Sequence, residues 1–183
     1  MRIFNLFKMK KGFTLIELLV VIAVIAVLAV AVLSSINPVE QINKAKDTAS
    51  KSDASEYLNA IERFYSTFSC YPWNFTVATG VCATATQFNG GTATIIGVAP
   101  VTTTISTTLQ TQNEIKPEFI TRVNKQTAAG NNILYVSSTT PTNVNGYLMH
   151  ICFLPSSATF KSKAKLTNNG TGAGTYYCVP GSD

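Results

Sequence analysis

The chain has 183 residues, a formal charge of +5 and four cysteines. Arg2, Lys8, Lys10 and Lys11 all precede Phe13 with no acid among them, leaving ten basic against nine acidic residues, so bulk basicity does not argue for a nucleic-acid binder. With one histidine, and only Glu114, Glu118 and Asp183 as acids after Cys70, no nucleophile motif is present and an enzyme is the least supported class.

Residues 1–12, "MRIFNLFKMKKG", form a short basic leader. Residues 13–36 follow as an apolar helix, about 36 Å long against a bilayer core of roughly 30 Å. Basic residues beside a spanning helix stay on the cytoplasmic side, which predicts a single pass through a membrane with the N-terminus in the cytoplasm and the bulk of the chain outside. The alternative is a cleaved secretory signal, with Ala29 and Ala31 imitating its cleavage point, but the apolar run is longer than such signals need.

Glu17 is the anomaly in this helix, since the sixteen residues from Leu18 to Leu33 are all uncharged. Twelve large aliphatics there favour insertion by about 4–7 kcal/mol in total, against less than roughly 2.5–3.5 kcal/mol for one acid near a helix end. Insertion wins, and the expectation is an acid that is tolerable but poorly satisfied in an isolated chain.

Pro38 removes a helical donor and interrupts the run. Residues 37–69 then read as an amphipathic helix, with Ile42, Ala45, Ala49, Ala54, Leu58, Ile61, Tyr65 and Phe68 on its apolar side. Glu40 with Lys44 and Asp47 with Lys51 are i, i+4 pairs suited to a solvated face.

Residues 70–183 form the outer domain. Residues 76–112 are uncharged and rich in Thr, Ala, Gly and Val, a β-prone composition with loops. "NEIKPEFITRV" suits a short helix; strands are predicted at 132–138, 146–154, 158–166 and 175–179, with a glycine-rich turn at 168–174. The fold class is α+β: a long N-terminal helix, its second half packed on a small antiparallel sheet.

On strict alternation, Lys161, Lys163 and Lys165 share one face of the 158–166 strand. Such a row guards an edge strand against pairing, or it offers positive charge to DNA, an acidic surface or a neighbouring subunit. His150 sits on a strand in a structural role. Cys70, Cys82, Cys152 and Cys178 lie in the outer part without a C-x-x-C spacing, which favours two disulfides over a zinc site assisted by His150, and no metal or cofactor is expected. Of three connectivities the local one, Cys70 with Cys82 and Cys152 with Cys178, is preferred. A simple meander conflicts with it, because strands 146–154 and 175–179 would lie about 9–10 Å apart, beyond the roughly 7 Å that a disulfide spans.

"KKGFTLIELLVVIAVIAVLAVAVL", residues 10–33, resembles the N-terminal signature of the type IV pilin and pseudopilin superfamily. The likeness rests on a basic leader ending in Gly12, an aromatic Phe13, Glu17 at its fixed offset and an unbroken apolar helix; Pro38 falls about one turn beyond the usual break. The resemblance implies a prepilin peptidase that cuts between Gly12 and Phe13 and methylates the Phe13 amine. It further implies assembly by inner-membrane machinery into a homopolymer, with Glu17 pairing to a neighbour's new amine. Membrane lipid surrounds the helix before assembly. Pilus, type II secretion and competence systems all stay open, as does any surface ligand, DNA included. Calcium-binding secretion pseudopilins use C-terminal carboxylates, and residues 119–182 contain none, which favours a pilus or competence-type subunit. A membrane-anchored binding module that never polymerises is the competing class.

Overall fold

The structure, a computed structural model, describes residues 12–83, 94–96, 100–127, 133–139, 148–168 and 173–181. The basic residues of the leader and the centre of the glycine-rich turn lie outside them. The chain divides into two units, residues 1–38 and 39–183.

The first unit contains helix α1, Leu15–Ser35, whose residues are all exposed. It has 21 residues and a mean hydropathy of 3.2 over its most apolar 18-residue window, which makes it long and apolar enough to cross a membrane. Thr14 caps its start, and Ser34 and Ser35 hydroxyls donate to the carbonyls of Ala31 and Val32 in its last turn. Ile36 is extended, and Pro38 supplies the first residue of the next helix, a position where its missing N–H costs nothing.

The second unit is α+β. Helix α2, Pro38–Phe68, runs for 31 residues, about 46 Å. Its buried stripe is Asp47, Ser50, Asp53, Ala54, Tyr57, Ala60, Ile61 and Phe64. That corrects the stripe expected from apolar spacing: Ile42, Ala45, Ala49 and Tyr65 are exposed. The early turns bury Asp47 and Asp53 instead, because the outer domain supplies hydrogen-bond donors to both, and they bury Ser50, whose hydroxyl has no hydrogen-bond partner among the described residues. Asp47, expected on a solvated face, is fully buried and accepts from the Ser156 and Ser157 amides and the Ser157 hydroxyl at 2.6–3.1 Å. Asp53 pairs with Arg122 at 2.6 Å, and Arg63 with Glu114 at 3.1 Å.

After a 3-10 turn at Pro72–Asn74, strands β1 (Phe75–Thr76) and β2 (Val81–Cys82) form a small antiparallel pair, and β3 is Thr94–Ile95. The second half of the β-prone region is instead a helix, α3, Pro100–Thr111. Its threonines disfavour helix weakly, but Ile105 and Leu109, one turn apart, reach the core, and tertiary burial overrides propensity. Helix α4, Pro117–Thr127, buries Phe119, Ile120 and Val123. Strands β4 (Tyr135–Thr139), β5 (Leu148–Phe153) and β6 (Tyr177–Val179) join β3 in an antiparallel sheet of order β3-β4-β5-β6.

The strand expected at 158–166 is not one. Ala158–Lys163 is a short helix, α5, and Leu166 makes only isolated bridges to Ala173 and Tyr176. Ser157 caps α5, the Asp47 carboxylate holds the two amides before it, and Phe160 packs on Phe153 and Tyr177. Lys161, Lys163 and Lys165 therefore form no strand row, and the edge-guard reading lapses.

Removing that strand also removes the meander conflict. β6 lies directly beside β5 with Cys152 opposite Cys178, and the two are bonded at a Cα separation of 4.0 Å. Cys70 is bonded to Cys82 beside the β1–β2 pair. One core joins Tyr57, Ile61 and Phe64 of α2 to Ile105, Leu109, Phe119, Val123, Val136, Ile151 and Tyr177. Tyr57 stacks on Phe119 at 6.2 Å, and its hydroxyl shares a hydrogen bond with Ser106.

Candidate functional site

The residues that the sequence singles out at the N-terminus meet in one turn. Gly12 has open space where a side chain would stand, and Phe13 is almost fully exposed. Thr14 takes extended φ and ψ of −80° and 149°, the ordinary geometry of a helix cap.

The Thr14 hydroxyl accepts from the Glu17 amide at 3.3 Å. The Glu17 carboxylate reaches back, and its Oε2 accepts from both the Thr14 amide and the Thr14 hydroxyl at 2.8 Å. This is a reciprocal capping box, which satisfies donors that a helix start leaves orphaned. It corrects the expectation of a poorly satisfied acid: Glu17 has two donors within its own turn. Thr14 is the functional residue that reasoning about Glu17 alone missed, and its signal was present as Thr-x-x-Glu ahead of an apolar run.

Geometry here suits recognition rather than bond-making chemistry. Both of these local bonds fall on Oε2 and neither on Oε1. The carboxylate also sits in the first turn of α1, at the positive end of the helix dipole. Past it, α1 offers only uncharged side chains to its surroundings.

Pro38 opens α2, all four cysteines are in disulfides, and Lys161, Lys163 and Lys165 are exposed on and after α5. His150 Nδ1 donates to the Pro180 carbonyl at 2.9 Å, tying β5 to the turn after β6. Among the described residues no group of three or more His, Cys, Asp or Glu is arranged to hold a metal.

No curated protein and no solved structure matches the chain. A family model described as the prokaryotic N-terminal methylation motif matches residues 7–33. That interval contains Gly12, Phe13, the capping box and almost all of α1, so the chain carries the signature of type IV pilin and pseudopilin precursors.

Proposed function

We propose that the protein is a structural subunit of a type IV pilus-like filament. It enters the inner membrane through α1 with its leader in the cytoplasm. A prepilin peptidase cuts between Gly12 and Phe13 and methylates the Phe13 amine. Assembly machinery then packs α1 into a helical homopolymer, with residues 39–183 outward. Contacts of this head-to-tail kind do not close on themselves and so propagate a fibre.

One observation carries the reading: Glu17 is the single charged residue of an exposed, predominantly apolar helix, in its first turn, and Thr14 holds it through one carboxylate oxygen. Apolar contacts among such helices are non-directional. A single charge-assisted bond from Glu17 to a neighbour's amine supplies the axial register that they lack.

N-terminal mass spectrometry of native protein tests the processing step, and methylated Phe13 is the expected first residue. Glu17→Ala is expected to abolish filaments while membrane levels persist; undiminished filaments remove Glu17 from assembly. Between subtypes, the absence of any acid in residues 119–182 favours a pilus or competence-type subunit over a calcium-dependent secretion pseudopilin.

A further inference from the structure

In the first turns of α2, Glu40 and Asp47 are engaged by the segment that opens α5, while Lys44 and Lys46 are exposed. Glu40 accepts from the Ala158 amide at 2.7 Å, and buried Asp47 accepts from Ser156 and Ser157. These bonds pin the start of α5 against residues 40–47. Helix α5 has six residues, about 9 Å, so exposed Lys161, Lys163 and Lys165 stay close to the stretch that carries exposed Lys44 and Lys46. No acid occurs in residues 148–168, and between 38 and 52 the only two are Glu40 and Asp47. The cluster is also tethered: Glu40 lies five residues beyond Ser35, the last residue of α1, a span of at most about 18 Å.

We infer that Lys44, Lys46, Lys161, Lys163 and Lys165 form a binding surface for anionic phospholipid headgroups, engaged while the protein is anchored as a monomer. The inference rests on the reading of α1 as a membrane span. Once α1 is inserted, the five-residue tether is short enough to let these lysines reach the headgroup layer, where basic side chains are attracted over about one Debye length. Each lysine at such a surface raises its occupancy about fivefold, and the contributions multiply. Nucleic acid is the weaker occupant, because the chain after the leader is nearly charge-neutral and only this tethered patch is enriched in lysine.

Full-length protein at one copy per lipid nanodisc, footprinted with a water-soluble lysine acylating reagent, tests this directly. Discs of phosphatidylcholine are compared with discs containing about 30% phosphatidylglycerol. Acylation of Lys161, Lys163 and Lys165 is expected to slow at least about threefold in the anionic discs and to recover in about 0.5 M salt. Lys116 serves as the control, since the Arg63–Glu114 ion pair holds its loop far along α2, and its rate is expected to be unchanged. Equal rates in both discs overturn the inference and leave the anchor standing. Protection that appears only when a DNA oligonucleotide is added to neutral discs overturns it in favour of nucleic acid. Failure of the chain to co-migrate with discs sinks the anchor and the inference together.

Discussion

Asp47 shows how much one side chain can hold together. It is buried, and it satisfies two amides and a hydroxyl from a segment 110 residues away. Asp47→Ala strands those buried donors, and hydrogen bonds to a charged acceptor contribute about 1.5–3 kcal/mol each. A loss of about 3 kcal/mol in urea denaturation is expected, with Asp47→Asn losing less than half as much. Nothing local marks the residue, since Asp47 and Lys51 fit a solvated i, i+4 pair as well as any on the chain. Thr14 is the opposite case, legible from three neighbours because its partner is in the same turn. Tyr57 sets a pH limit. Burial pushes its phenol well above the ordinary range, with the Ser106 hydrogen bond acting the other way, and burial followed by the neighbouring Tyr176 raises Tyr135 as well. The unfolded chain therefore loses these protons first, near pH 10. Stability is complete below that value and falls as pH rises above it toward the folded-state values. Denaturation midpoints from pH 9 to 11.5 are expected to show that decline, and Tyr57→Phe to flatten much of it.

Helices α3 and α5 were hidden in the sequence for different reasons. Residues 100–111 are dominated by threonine, which favours strands, yet Ile105 and Leu109 share one buried face, and that burial decides the outcome. In "FKSKAKL" the period of two is real, but Ser157, Asp47 and the contacts of Phe160 select a helical turn instead. By contrast, β4 and β5 were legible because strong apolar runs need no distant partner to declare them, and α4 because Phe119, Ile120 and Val123 recur at helical spacing among polar residues. The disulfides act at this scale too. Cys152–Cys178 closes a separation of 26 residues and Cys70–Cys82 one of 12, which by chain entropy contribute about 3.5 and about 3 kcal/mol. Replacing both members of either pair with alanine is expected to lower thermal stability accordingly, the β5–β6 pair more. Gly174 is constrained in a different way: a Cβ there would stand 2.3 Å from the Leu166 carbonyl oxygen, so alanine forces the backbone apart.

Taken whole, the molecule keeps its packing and its anchor in separate stretches of chain. Among the described residues, every buried one lies at Asp47 or later, and α1 buries none. A chain beginning at Val39 is therefore expected to fold alone and stay soluble, with both disulfides formed and a thermal midpoint within a few degrees of the full-length protein in detergent. A molten spectrum would show that α1 contributes to the domain after all. This separation also explains what could be read from sequence. The N-terminal signature depends on residues that are neighbours along the chain, whereas the outer domain depends on pairings such as Asp47 with Ser157, Arg63 with Glu114 and Tyr57 with Ser106. The position of β6 has a further consequence, one of timing. β5 finds its second neighbour and Cys152 its sulfur partner only when residues 177–179 arrive. During synthesis the sheet must wait with a bare edge and a reactive thiol, so this late tripeptide marks the moment at which the nascent domain stops being vulnerable to mispairing.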